Sequence, residues 1–211
     1  MYLPSQFAET RPDVLEAFIR THPLGWLVTL AGGRTEVDLV PMLPCHRPAS
    51  GLCLRGHVAR ANPISRQLDS GSEVLVVFGG SDHYVTPSWY ASKQVDGRVV
   101  PTWNYSVVQV RGTLRWVDDP VALRELVTTL TAVHEEASAR PWAVSDAPDD
   151  YIVRMLDAIV GFEIEVASLV GKFKSSQNRS GVDRAGVRAG LAAAGVPAEA
   201  VAELVRDPPH P

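Results

Sequence analysis

Apolar residues recur along the chain with two different periods, and the order in which those periods alternate outlines the fold. Val14, Leu15, Phe18 and Ile19 fall at helical spacing after the capping-box-like Thr10-Arg11-Pro12-Asp13, predicting a first helix over about 11–21. His22-Pro23 should end it, because a residue before proline avoids the helical region. Two apolar runs, Leu24 to Ala31 and Thr35 to Leu43, flank Gly32-Gly33 and predict a hairpin. A second connection through Arg47-Pro48-Ala49-Ser50-Gly51 leads to a strand over Leu52 to Val58, with Leu54 and Val58 on one face and Cys53, Arg55 and His57 on the other. Ala59 to Leu68 reads as a short helix, with Asn62 as N-cap and Pro63 in its first turn. The unbroken run Val74 to Phe78 predicts a strand buried on both faces at the centre of the sheet.

The second half repeats the alternation. Val108, Val110, Gly112, Leu114 and Trp116 interleave with Gln109, Arg111, Thr113 and Arg115, a half-buried antiparallel strand. Asp118-Asp119-Pro120 caps a helix striped by Leu123, Leu126, Leu130 and Val133, running to about Ala137. After a linker, Tyr151, Ile152, Met155, Leu156 and Ile159 predict another helix stopped at Gly161, and Phe162, Ile164 and Val166 alternate with glutamates in a last strand. Gly171 to Arg179 has no period and is rich in hydrogen-bonding groups, so it reads as a functional loop. The Ala-rich stretch over about 181–205 is helical with a break at Gly195 to Pro197. Strands of similar length with glycine turns and late helices predict a mainly β, α+β fold, an antiparallel barrel with peripheral helices. The expected organisation is a barrel domain with inserted helices over 1–175, a C-terminal helical segment over 176–206 and a disordered tail over 207–211.

Composition narrows the chemistry. No apolar run approaches a membrane span, and MYLPSQFAET lacks the basic and apolar regions of a signal peptide, so a cytoplasmic protein without a membrane partner is expected. That compartment favours free thiols at Cys45 and Cys53, with a disulfide as the alternative. A net charge of -4 disfavours broad nucleic-acid binding, and the Ala-rich C-terminal helices carry acids where a recognition helix would be basic. Direct DNA binding is therefore not expected. No phosphate-binding loop or dinucleotide fingerprint is present. What stands out is His83 to Trp116, which holds three of the five Trp and three of the five Tyr. Aromatics at that density suit a planar ligand, a buried interface or an aromatic core corner.

Five ordered segments carry a resemblance: LRGHVARANP (54–63), YVTPSWY (84–90), PTWNY (101–105), PWAVSD (141–146) and GKFKSSQNR (171–179). They are similar to the signature blocks of the PaiB-type family, described as FMN-binding negative transcriptional regulators, over nearly the whole chain. The resemblance implies a split β-barrel of the FMN-binding type, a homodimer with its cofactor cleft between subunits. The family includes piperazate synthases, which use heme b to form an N–N bond from a small-molecule substrate; in that subgroup the position of His57 is the iron ligand. By analogy Tyr84 and Lys174 would then do acid-base work. Asp38-Leu39-Val40-Pro41 departs from the Thr-His-Leu-Pro common among relatives, so no ligand role passes to Leu39. The long Ser88 to Val100 insertion resembles the PaiB type rather than the synthases.

For FMN, the phosphate needs cations and hydroxyls, which Arg60, Arg66, Lys93, Lys172, Lys174, Ser176 and Gln177 could supply. A planar ring would stack on Trp89, Tyr90, Trp103 or Tyr105, with hydrogen bonds from Thr102 and Asn104 and support from Asn62 in the His57 block. A flavin reductase or oxidase is the third possibility, since fold alone does not fix function.

Overall fold

A computed structural model describes residues 1–48 and 51–207. The elements run β1 (Ala8–Glu9), α1 (Pro12–Thr21), β2 (Leu24–Ala31), β3 (Arg34–Arg47), β4 (Gly51–Ala59), α2 (Ile64–Gln67), β5 (Ser72–Val85), β6 (Thr102–Val117), α3 (Pro120–Glu135), α4 (Asp149–Asp157), β7 (Ile159–Lys174), α5 (Gly181–Ala193) and α6 (Ala198–Leu204). The strand order is β1-β7-β4-β3-β2-β5-β6, and β7 also pairs with β6. That extra pairing closes the circuit, leaving only the two-residue β1 outside it. The fold is an antiparallel split β-barrel with peripheral helices, as the alternating pattern predicts.

Local chemistry sets the register. Gly32 and Gly33 take φ of 57° and 75°, the left-handed pair that a tight hairpin needs, and Ala31 pairs with Arg34 across it. Two other glycines serve close approach. Gly25 lies opposite Phe78 and Gly56 opposite Phe162, and a Cβ at either would stand 2.7 Å from the facing ring. Each phenyl ring therefore covers the backbone that its cross-strand glycine leaves bare.

The chain forms two compact units. The first comprises Met1–Phe18, Gly79–Val108 and Val170–Pro211, the second Ile19–Phe78 and Gln109–Leu169. In the second, Leu27, Met42, Leu54, Val76, Leu114, Phe162 and Ile164 are fully buried. Leu123 of α3 packs with Ile152 and Leu156 of α4. In the first, Val85 and Tyr90 pack with Val187, Leu191, Leu204 and Val205 from the C-terminal helices.

Several expectations need correction. Val74 to Phe78 is neither central nor buried on both faces: Val74, Val76 and Phe78 are buried while Leu75 and Val77 are half-exposed, and the strand continues to Val85. Apolar residues on both faces of a strand thus do not require two covered faces. Gly161 does not stop a helix; α4 ends at Asp157, because Ile159 already pairs with Ala59 of β4. The 59–68 helix shrinks to one turn, although Asn62 does accept the Ile64 N–H at 3.0 Å as predicted. Gly171 to Lys174 belongs to β7 rather than a loop, held at its end by pairing with β1. Asp207 is ion-paired with Arg184 and Arg188, and the rest of the expected tail, 208–211, lies outside the described residues.

The cysteines are also paired, against the thiol expectation. The β3–β4 register sets Cys45 directly opposite Cys53, with Cα atoms 5.0 Å apart, and the two form a disulfide. Loop-closure entropy for so short a ring gives about 2–3 kcal/mol of stability. Reduction, or Cys53→Ser, should lower the free energy of urea unfolding by that amount and shift the midpoint down accordingly. Unchanged unfolding curves, with two thiols titrated in the native protein, would show the bridge to be absent.

Candidate functional site

The candidate residues fall into two groups. In the second unit, β4 carries His57 and the connection after it carries Arg60 and Asn62. Arg60 is a bracket rather than a free cation: it donates to Asp118 at 2.5 and 3.0 Å and to the carbonyls of Asp157 and Ile159. Asn62 caps α2 and donates to Asp38 at 2.6 Å. Both are committed to structure. His57 is different: its Nδ1 is buried with no hydrogen-bond partner, and burial holds its pKa below the ordinary imidazole value.

The remaining candidates lie in the first unit, on β5, β6 and the end of β7. Along β7, alternation puts Lys172 and Lys174 on one face and buried Phe173 and Ser175 toward the other. Lys174 Nζ donates to Thr102 Oγ1 and, at 2.8 Å, to the Trp103 carbonyl. Its pKa is lowered by burial first and then by the charges of Lys172 and Arg179. Lys172 lies 5.5 Å from the Tyr105 ring and 5.6 Å from that of Tyr2, over two aromatic faces and with no carboxylate in ion-pair reach among the described residues. Tyr84 and Trp103 meet edge-to-face at 6.0 Å, yet are 43% and 53% exposed. Two neighbouring ammonium groups without an acid beside them, next to an open aromatic pair, form a place where an anion joined to a planar ring gains on both counts.

The other candidates are arranged around this cluster. Asn104 is buried, donates to Ser176 Oγ at 2.8 Å and to the Leu204 carbonyl at 2.9 Å, and keeps an unpartnered Oδ1. Ser176 takes φ of +60°, a conformation that L residues rarely adopt, so the bond from Asn104 pins a strained turn. Gln177 is used up locally: Oε1 accepts the Ser175 N–H and Nε2 donates to the Phe173 carbonyl. Trp89 packs its ring over Gly190 of α5, where any Cβ would collide with it. Its role is helix docking on that face, whereas Tyr84 and Trp103 leave open aromatic surface. Residue order carries no signal for this division of labour, because both kinds of aromatic sit in the same dense stretch.

Known proteins share this architecture. The family model described as "Putative FMN-binding domain" matches residues 1–168. An uncharacterized protein of Emericella nidulans is 35% identical over 98% of this chain and 97% of its own. The protease synthase and sporulation protein PAI 2 of Bacillus subtilis is 29% identical over 87% of this chain and 85% of its own. Among solved structures, the FAD and heme binding protein of Mycobacterium smegmatis superposes with a TM-score of 0.55 at 16% identity, covering 79% of this chain and 73% of that one. This last likeness is one of fold.

His57 gives a prediction with a fixed sign. Its folded pKa is depressed, so the unfolded chain takes up the proton first as pH falls. Stability is full above the ordinary histidine value of about 6.5 and declines as pH drops through it toward the folded value. Urea midpoints measured from about pH 7.5 down to pH 5 should fall for the native protein and fall less for His57→Gln. Identical slopes for the two would show that His57 does not contribute to the pH dependence.

Proposed function

Because the chain belongs to the PaiB-type, FMN-binding family, we propose that it binds FMN with Lys172 and Lys174 facing the phosphate and Tyr84 and Trp103 flanking the ring system. The observation that carries this reading is the pair of lysines without an acidic partner beside two exposed aromatics. The chemistry of the donors fits the cofactor: ammonium groups and the Thr102 hydroxyl suit a phosphate, and an edge-to-face aromatic pair leaves a ring face open to stacking. Bound FMN would supply hydride or single-electron transfer. The chain's own contribution is to hold and orient. Lys174 is aimed by the Trp103 carbonyl, and the Asn104–Ser176 bond fixes the turn from which β7 ends. Because burial lowers its pKa, Lys174 is also a candidate to exchange a proton with a bound substrate. The reading is thus a flavin-binding protein with oxidoreductase capacity, and the regulatory role described for the family would act through that cofactor.

A heme reading has one specific support. His57 is a neutral imidazole with an unpartnered nitrogen, the form in which histidine ligates iron. Against it, iron-bound histidines usually donate their second N–H to an acceptor, and His57 has no such bond among the described residues. FMN is therefore preferred. The absorption spectrum of the purified protein separates the readings: a two-banded flavin spectrum is expected, and a Soret band that disappears in His57→Ala would replace FMN by heme. Lys172→Gln and Lys174→Gln should each weaken FMN binding roughly tenfold or more, the size of one charge-assisted hydrogen bond. Unaltered affinity in both variants would remove the lysines from the phosphate site.

A homodimer completes the proposal. The β2–β3 face pairs Trp26 with Leu39 and Val28 with Val37, and Leu24, Trp26, Leu30, Val37 and Leu39 are each between 43% and 68% exposed. An apolar sheet face of this kind is what a self-association surface requires. Sedimentation should find a dimer that the double variant Trp26→Lys, Leu39→Asp converts to the 22.9 kDa monomer. A monomeric native protein would refute the dimer without touching the flavin reading.

A further inference from the structure

The face of β7 opposite Lys172 and Lys174 borders a cavity of about 700 Å³, walled by the segment 5–11, Phe173, Ser175, Gln177, Arg206 and Asp207. All of it lies within the first unit. Its size is that of a small-molecule site rather than a gap for one ion.

The charges around it do not balance locally. Glu9 is buried and saturated: it accepts the N–H groups of Thr10 and Arg11 and a two-point contact from the Arg11 guanidinium at 2.9 and 2.5 Å. That contact, led by the Arg11 side chain, holds the Glu9 pKa low against the opposing effect of burial. Asp207 is held by Arg184 at 3.2 Å and Arg188 at 3.3 Å. Arg206 is the remainder. Its guanidinium lies 4.2 Å over the Phe173 ring and its Nε donates to the Glu203 carbonyl at 3.3 Å. Its backbone N–H is spent on the Ser175 carbonyl. Among the described residues its terminal amino groups donate to no protein acceptor and no carboxylate stands within ion-pair reach. The carboxylate of Glu203 acts on it electrostatically but is itself bound by the N–H and hydroxyl of Ser81. Partial burial disfavours this charge, which a bound anion would offset.

We propose that this cavity binds a small organic oxyanion, a carboxylate or phosphate monoester on an apolar body, with Arg206 gripping the anionic end and Phe173 and Phe7 facing the apolar one. A guanidinium stacked on an aromatic ring keeps its edge, and hence its forked donors, presented to a ligand. Phe7, buried at the end of the 3-10 turn Ser5–Phe7, supplies the apolar wall. The site is distinct from the flavin site and sits behind it, because Phe173 and Ser175 alternate with Lys172 and Lys174.

The test uses the full-length protein, titrated with benzoate, phenyl phosphate, inorganic phosphate and neutral benzamide and followed by backbone amide NMR. Saturable binding of benzoate or phenyl phosphate is expected, with shifts at Glu9, Ser175 and Arg206 and benzamide at least tenfold weaker. Which of the two binds tighter tells carboxylate from phosphate. Arg206→Met, which keeps a side chain over Phe173, should lose the binding at least tenfold while loading flavin as the native protein does. Binding of inorganic phosphate alone, equal binding of benzamide, shifts confined to other residues, or no saturation would each overturn the proposal. So would loss of flavin together with benzoate in Arg206→Met, which would merge the two sites. If Arg206→Met fails to fold, the shift map of the native protein still decides. If the native protein carries no flavin, the benzoate and benzamide arms decide alone.

Discussion

The double pairing of β7, with β4 along one edge and β6 along the other, is the constraint on which the rest depends. A closed circuit leaves no freedom of register, since a slip of one residue would turn every buried side chain outward. Phe162 and Ile164 must face inward, so Glu163 faces outward, where it takes Arg55 at 3.0 Å and is also bonded by Arg47. Toward the end of the strand the buried positions change parity: Gly171 and Phe173 are buried, while Lys172 and Lys174 are half-buried and share the opposite face. The candidate cations are thus positioned where the burial pattern of β7 switches.

Closure has a packing cost that glycine relieves. Where the facing strand carries Phe78 or Phe162, the pair position is Gly25 or Gly56, and a Cβ at 2.7 Å from either ring would force the strands apart. A similar substitution of glycine for bulk recurs where α5 meets Trp89, at Gly186 and Gly190. The helix can therefore lie against the turn that follows β5. Tyr90, buried beside Val187 and Leu191, completes that contact, with the Arg179 guanidinium 4.6 Å from its ring.

Periodicity made most strands and the α1, α3 and C-terminal helices legible in the sequence, because half-burial and an amphipathic stripe both write themselves into residue order. What it could not show is where a strand continues through polar residues. Thr102 to Ser106 lies in the dense aromatic stretch ahead of the alternation that starts at Val108, yet it is the start of β6, with Asn104 and Ser106 buried. Lys172 and Lys174 are legible as candidate cations by residue type, but their place on a strand is not, since lysines at a strand end look like part of a connection. Gln177 and Arg60 are polar residues in family-like motifs whose side chains turn out to satisfy nearby backbone or an acid. Residue type indicates the chemistry each could do; only the hydrogen-bond pattern separates groups already satisfied from groups still open.

That distinction also bears on the turn after β7. Ser175 and Gln177 bond to each other and back to Phe173, whereas Ser176, between them at positive φ, is held by Asn104. The turn is thus clamped from two sides, and the Arg206 N–H adds a third tie at the Ser175 carbonyl. A strained residue persists only when its surroundings over-determine it. Here the surroundings are the ends of β6 and β7 and the residues after α6, so any ligand that moved Arg206 would act on the backbone that also ends in Lys174. The Arg206 N–H and the Asn104 amide thus hold one and the same turn, the one in which β7 ends after Lys174.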